Sequence, residues 1–383
     1  MVGAGPAGTA AALAAKQARP DASVLVVDKA TFPRDKTCGD AIGPQAHGEL
    51  RALGAPDVLK PDERVTRFRL RGPRGADASG VPGVTGYVVP REQFDARLVE
   101  TARDRGTELV TEPVATVTCV GDDVVVNGRW HARTVIAADG AHSTVRRVLS
   151  PQARPAPQRT DRAGGGDRGL AVAVRGYAPA VPGRDELLIA WQAGGGLRYV
   201  WSFPTCDGRL NVGSCAPVGG FTGGRRELME RVRKVLPDVD IDRSTLRGHL
   251  LPLSTSIAPL TTGPVLYAGD AASLINPLSG EGIFYALASG RLAGEAAATA
   301  PDPAATYRRR LRTRLGRHWR HTRILARLLD VPWTVQATLA AAATPAIFDL
   351  LVDVALGDGT FRPRHLPAVV AACLRGGKET RRR

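Results

Sequence analysis

With 383 residues the chain is no small disulfide- or metal-stapled module, and it can bury the core of one large or two intimate domains. Five cysteines at positions 38, 119, 206, 215 and 373 show no paired spacing and no C-x-x-C, which argues against a disulfide framework and a zinc site and fits a reducing cytoplasm. The net charge of +15 comes from 52 basic residues of which only six are Lys, and no base-reading motif accompanies it, so a nucleic-acid partner is not expected.

Taken in chain order, Gly3-Ala-Gly5-Pro-Ala-Gly8 supplies a G-x-G-x-x-G pattern opening an Ala-rich helix that reaches Lys16. A break at Arg19-Pro20-Asp21 precedes the strand Ser23-Val-Leu-Val-Val-Asp28, whose acid stands twenty residues beyond Gly8. That spacing lets a backbone without side chains approach a pyrophosphate while the acid holds a ribose. A glycine turn of this kind normally follows a buried strand, and only Met1-Val2 precedes it here, so a natural start about 5 to 10 residues upstream is expected. No secretory leader is expected, since the first residues already form this turn.

Two β-like pieces, Arg67 to Arg71 and Tyr87 to Pro90, interrupt the strand–helix alternation, and Arg91 opens a helix through Leu98. Val135-Ile-Ala-Ala-Asp139-Gly140 reads as a buried strand ending in Asp-Gly, followed by a helix starting near Ser143. Residues 150–169, rich in Pro, Gly and Arg, should cross between domains. From Gly169 to Pro217 the pattern alternates as antiparallel strands do, then a loop and helix run to Val235. Tyr199, Trp201 and Phe203 share one face of a strand that Pro204 ends; they suit a pocket wall or a core.

The apolar strand Val265 to Ala268 runs into Gly269-Asp270, a Pro/Gly-rich bend and a helix from Gly282 through Ala293. Ligands of such sheets lie at the carboxyl ends of strands. There Asp270 can hold a ribityl hydroxyl, and the Gly280 to Gly282 turn presents the positive end of a helix to an electron-rich ring. Beyond Pro301 the chain reads as helical, with nine Arg and no acid between Tyr307 and Arg327, so basic residues should surround much of that helix. His318 and His321 stand among those arginines and are expected to be solvated rather than metal ligands. No apolar run long enough to span a membrane is seen; the nearest, Trp333 to Leu351, carries Gln336, Pro345 and Asp349.

Together with Pro33-Arg-Asp-Lys36-Thr-Cys38-Gly39-Asp40-Ala41, Tyr199-Val-Trp201-Ser-Phe203-Pro204, Asn211-Val-Gly213 and the N-P-L-S-G-E-G run from Asn276, these segments resemble the geranylgeranyl reductase branch of the FAD-dependent monooxygenase superfamily. The resemblance is clear over residues 2–300. It implies an α/β chain with a Rossmann-like FAD-binding domain over 1–150 and 263–300. It further implies a second, antiparallel-sheet (α+β) substrate domain over 151–262 and a helical C-terminal region over 301–383. By that resemblance Gly3, Gly5, Gly8, Asp28, Lys29, Arg91, Asp139, Gly269, Asp270 and Pro277 contact FAD, and Gly280 with Gly282 lies against the isoalloxazine. Cys38 would sit near the flavin, and Tyr199, Trp201 and Phe203 would line the substrate pocket. Members hydrogenate double bonds of isoprenoid chains, and the menaquinone reductases look most similar, sharing a basic helical tail with a segment like Arg375-Gly-Gly-Lys378.

An unactivated alkene accepts hydride poorly, so a positioned acid should protonate one carbon while hydride reaches its neighbour in a dry pocket. Cys38 is the candidate acid, or alternatively a small buried hydrophobe; a thiol with a pKa of about 8.5 stays protonated at neutral pH. Gly194-Gly-Gly196 and Gly219-Gly-Phe-Thr-Gly-Gly224 lack the strand, helix and acid of a second dinucleotide site, so NADPH, NADH or ferredoxin should act as a transient external reductant. The alternatives are an oxygen-using hydroxylase or halogenase of the same superfamily, and a basic membrane-surface or nucleic-acid binding protein with a vestigial flavin site. The basic C-terminal helices are expected to give peripheral contact with the inner face of the membrane.

Overall fold

The computed structural model describes residues 1–73, 77–80, 86–150, 169–192, 197–218, 224–329, 331–342 and 344–361. Residues 151–168 of the crossing expected over 150–169, the glycine runs at 194–196 and 219–223, and the segment Arg375–Lys378 lie outside the described residues. Helices are α1 (Pro6–Ala18), α2 (Pro44–Ala52), α3 (Arg91–Asp104), α4 (Thr144–Leu149), α5 (Gly224–Val235), α6 (Ile283–Thr299), α7 (Pro303–Leu328), α8 (Pro332–Ala342) and α9 (Pro345–Leu356).

A small parallel sheet forms the cofactor-type core. Leu25–Asp28 pairs parallel with Glu108–Thr111, and Val135–Ala137 pairs parallel with Val265–Tyr267. Val2 joins the two pairs, bridging Val27 on one side and Ala137 on the other. Thr261–Thr262 adds an antiparallel edge, so the sheet is mixed. Because the strands are apolar on both faces, helices must cover both.

On one face α1 and α6 pack through small residues. A Cβ on Gly290 would fall 2.1 Å from the Ala7 carbonyl oxygen, and one on Gly294 2.1 Å from that of Ala11. Ala7 faces Gly290 and Ala11 faces Gly294, so the two helices run parallel with their starts offset by six residues, about 9 Å at 1.5 Å per residue. Both positive ends therefore point the same way.

The second sheet follows the order Asp242–Pro252, Leu170–Pro179, Arg209–Pro217, Tyr199–Pro204, Leu187–Trp191, Phe68–Arg71, Asp77–Gly80. Its last two strands come from the amino-terminal part of the chain, and Phe68–Arg71 joins in parallel to Leu187–Trp191. The β-like piece expected near residues 67–71 is thus an outer portion of the large sheet. Period-two alternation splits the sheet's residues between two cores. Val200 and Val212 face Leu228, Met229 and Val232 of α5, whereas Tyr199, Trp201 and Phe203 face Val335 and Leu339 of α8 and Phe348 and Val352 of α9.

α7 carries basic residues around much of its circumference but also buries one apolar stripe in the core. Tyr307, Leu311, Leu315, His318, Trp319 and Thr322 recur at helical spacing and are buried. Among the described residues, no helix is long and apolar enough to cross a membrane.

Candidate functional site

The glycine turn sits at the carboxyl ends of the parallel strands. Gly3 has φ +98°, and a Cβ there would press 2.4 Å from the Ala138 carbonyl oxygen; a Cβ on Gly8 would fall 1.8 Å from that of Gly3. Gly5 differs, since its added Cβ would meet only the tip of Arg34 at 3.7 Å. Internal packing thus demands glycine at 3 and 8, while position 5 faces open space. The α1 N-terminus carries no side-chain cap and no acid in its first turn, which leaves its positive end for an external anion. Asp28 ties this turn to its strand, accepting the Ala4 N–H at 2.6 Å and the Ala30 N–H at 2.8 Å; Lys29 beside it is exposed.

Next along the sheet edge, one oxygen of Asp139 accepts the Val145 N–H at 3.1 Å while the other is buried with no partner. Burial pushes its carboxyl up against the pull of Ser143 and nearby N–H groups. Gly269, with φ +59°, lies tight against Ala7 and Ala286 and donates its N–H to Ser289 Oγ at 2.9 Å, setting Asp270 at the end of its strand. Asp270 Oδ1 lies 3.7 Å from where a Cβ on Gly282 would stand.

Asn276 builds the bend that follows. It accepts from Leu278 N–H through its side chain and from Gly280 N–H through its carbonyl, and its own N–H donates to the Glu281 carbonyl. Its amide also donates to Tyr285 Oη at 3.0 Å and the Val354 carbonyl at 2.9 Å, fastening the bend to the end of α9. Pro277 is buried within the bend. Gly280, at φ +74°, leaves room for Tyr199, whose hydroxyl would be 3.0 Å from an added Cβ and donates to the Ser279 carbonyl at 2.5 Å. Gly282 starts α6, and Glu281 Oε1 accepts the Phe284 N–H at 2.7 Å. Burial raises Glu281 to about 7.

Tyr199, Trp201 and Phe203 form a row with ring centroids 6.0 and 6.5 Å apart. One end reaches Gly280; at the other, a Cβ on Gly39 would touch Phe203 at 3.1 Å. Trp201 Nε1 donates to Asn211 Oδ1 at 2.9 Å, and Asn211 Nδ2 donates to the Cys38 carbonyl at 2.9 Å and to Asp40 Oδ2 at 2.7 Å. Asp40, fully buried, also accepts the Tyr177 hydroxyl at 2.5 Å and the Arg91 N–H at 3.3 Å. Burial raises its carboxyl to about 6 despite these donors.

Cys38 is half-buried, and burial pushes its thiol up, with Arg91 pulling the other way and Asp40 and Glu281 adding to the rise. Arg91 turns Nε and Nη2 to Asp95, each at 2.7 Å, which anchors its guanidinium through two of its three nitrogens. Across the site Lys36 Nζ stands 3.0 Å from His249 Nε2. Burial lowers both, His249 to about 4, and Lys36 depresses it further while Asp270 opposes; the His142 ring packs edge-on at 6.2 Å.

Sequence reasoning missed Asp40, Glu281, Lys36 and His249 as site groups. Lys36, Asp40 and Glu281 stood inside quoted motifs, and their burial was the unseen part. The expectation of solvated histidines fails at His318, which is buried with Nε2 2.6 Å from Tyr285 Oη and Nδ1 2.7 Å from the Gly359 carbonyl. Its spacing of seven from Leu311 was the available signal.

The arrangement fits an FAD. Two parallel helix starts offset by about 9 Å along their axes, an open Gly5, an unpartnered buried Asp139 oxygen and an aromatic row meeting the Gly280 bend supply an anion end and a ring end. The comparisons agree. The family model described as FAD binding domain matches residues 1–289. Menaquinone reductase of Mycobacterium tuberculosis is 33% identical over 361 residues, covering 87% of this chain and 84% of that protein. Digeranylgeranylglycerophospholipid reductase 2 of Methanopyrus kandleri is 32% identical over 340 residues, covering 82% and 81%. A solved geranylgeranyl bacteriochlorophyll reductase-like protein of Thermoplasma acidophilum superposes with a TM-score of 0.69 at 20% identity, covering 97% and 94%. With three quarters of its length inside the matched domain, the chain belongs to the FAD binding domain family and is an FAD-dependent oxidoreductase of the geranylgeranyl reductase type.

Proposed function

We propose that this protein hydrogenates carbon–carbon double bonds of an isoprenoid chain, with the side chain of a menaquinone as the first substrate to try. The observation that carries the reading is the apolar row of Tyr199, Trp201 and Phe203, roofed by α8 and α9, which runs from Gly39 beside Cys38 to the Gly280 bend. Such a wall suits a long hydrocarbon and excludes water. The names of the similar mycobacterial and archaeal reductases support the same substrate class.

In this reading Gly3, Gly5, Gly8 and the α1 start receive the pyrophosphate, Asp28 the adenosine ribose, Asp139 and Asp270 the middle of the cofactor, and Gly280 with Gly282 the ring. Lys29 and Pro277 flank these contacts, and Arg91, anchored by Asp95, adds its remaining guanidinium nitrogen to them. FAD, once reduced by NADPH, NADH or ferredoxin, supplies the hydride. The chain's own part is to hold the alkene against the ring, keep the pocket dry and deliver a proton. Cys38 holds a proton throughout the neutral range because burial raises its thiol, and Glu281 holds one up to about pH 7. The Asp40–Asn211–Trp201 network fixes the Cys38 carbonyl and so the thiol's position.

The test is anaerobic incubation of reduced, FAD-loaded protein with menaquinone, followed by mass spectrometry. A product heavier by two hydrogens supports the reading. Turnover only in the presence of oxygen would move the assignment to the hydroxylase and halogenase side.

A further inference from the structure

The outward face of α7 combines unpaired positive charge with exposed hydrocarbon. Opposite the buried stripe of Leu311, Leu315 and Thr322, helical spacing of three and four lines up Arg309, Arg310, Thr313, Arg317, Arg320, Ile324, Arg327 and Leu328. Arg309, Arg312, Arg317, Arg320 and Arg327 are exposed, and none has an acidic partner among the described residues. Arg314, in contrast, turns inward to Glu49 and Asp358.

At the carboxyl end of this face Ile324 is 55% exposed, Leu328 48% and Val331 39%. Such large apolar side chains are half of those found exposed among the described residues, and they fall within eight consecutive positions. An ordinary solvated helix has no reason to put three of them beside unpaired arginines. An amphipathic segment at a lipid surface has one, because arginines meet anionic headgroups while the apolar tip enters the acyl boundary. The position adds a second reason. α8 begins at the residue after Val331, and its Val335 and Leu339 pack into the cluster that holds Tyr199, Trp201 and Phe203.

We propose that this face docks the protein on an anionic lipid bilayer, with Arg309, Arg317, Arg320 and Arg327 at headgroup level and Ile324, Leu328 and Val331 as the inserted tip. α8 then stands between the bilayer and the aromatic row, so a lipid-borne chain enters the pocket from the membrane; this last step rests on the isoprenoid reading, whereas the docking does not.

The experiment is sedimentation of the full FAD-loaded chain with vesicles of phosphatidylglycerol and phosphatidylcholine, or of phosphatidylcholine alone. Sedimentation is expected with the anionic vesicles and lost on raising salt. Replacing Arg317, Arg320 and Arg327 together by Gln should weaken partitioning about a hundred-fold, at roughly 1 kcal/mol per charge. Ile324→Asp with Leu328→Asp should release the protein at every salt concentration, with FAD content unchanged. Failure of the wild type to sediment at low salt, or variants that sediment like it, overturns the proposal. Equal salt-sensitive retention on duplex DNA without vesicle binding overturns it as well. Reduction of detergent-dispersed substrate separates the two readings: if it persists while vesicle binding is absent, only the docking falls; if vesicle binding holds and no alkene is reduced, docking stands and the isoprenoid reading falls.

Discussion

Replacing Asp40 by Asn keeps the side chain's size and suits its left-handed backbone at φ +64°, yet it should change how stability responds to pH. Tyr177 and Asn211 both donate to Oδ2, so the new amide keeps its oxygen there and turns its nitrogen toward the Arg91 N–H. The Arg91 N–H and the new NH2 then face each other without an acceptor, costing about 1–3 kcal/mol at every pH. Against this stands the cost of burying a charge. The folded carboxyl titrates at about 6 and the ordinary value is 3.8, a difference worth about 3 kcal/mol. Below the lower value both states are protonated and no penalty exists. Between the two the unfolded chain releases its proton while the folded one retains it, so wild-type stability falls as pH rises, and above 6 the penalty is complete. Asp40→Asn should therefore be less stable than wild type at pH 4, by about 1–3 kcal/mol, and equal to it or slightly more stable at pH 7. Urea unfolding of both FAD-loaded proteins across that range measures the difference. A gap that does not change with pH refutes the reasoning; Tyr177→Phe, which removes a donor that holds the value down, should move the fall to higher pH.

Gly5→Ala should leave the melting temperature of the FAD-free protein unchanged yet weaken FAD binding about ten-fold or more, near 1.4 kcal/mol, whereas Gly8→Ala should lower both, because only its Cβ collides with backbone. Flavin absorbance after gel filtration and a thermal melt separate the two. Glu281 is protonated below and ionised above about 7, so kcat/KM for the alkene should fall through that pH and Glu281→Gln should flatten the limb; a variant with the wild-type limb removes Glu281 from the proton path. Cys38→Ala with FAD content intact should reduce the alkene more slowly at every pH from 6 to 8, since the raised thiol does not titrate there; unchanged rates would assign the proton elsewhere.

What was legible in the sequence was local. The glycine turn, Asp28, the Asp139 and Asp270 strand ends and the 276–282 bend each lie within one strand–turn–helix step, where spacing and turn chemistry carry the signal. The aromatic row was readable because a strand alternates every second residue. What was hidden was assembled from afar. Asp40 meets Tyr177 137 positions away and Asn211 171 away, and Lys36 meets His249 across 213. No periodicity reports such pairings. The strand Phe68–Arg71 misled for the same reason, since its short alternation says nothing about which sheet receives it. His318 was lost to its neighbours: the arginines around it dominate the composition, while its place on the Leu311 and Leu315 face is geometric.

The glycine seam between α1 and α6 works as a ruler. With Gly290 and Gly294 set against carbonyl oxygens at 2.1 Å from any added Cβ, neither helix can slide or be spread by a larger residue without losing the seam. The interval between the two positive ends is thereby fixed before any ligand arrives. Two like ends held side by side repel one another, and an elongated anionic molecule laid across them relieves that repulsion at both. Occupancy should accordingly tighten the seam itself, so that amide hydrogens of Ala11 and Gly294, far from any ligand contact, exchange more slowly in the loaded protein.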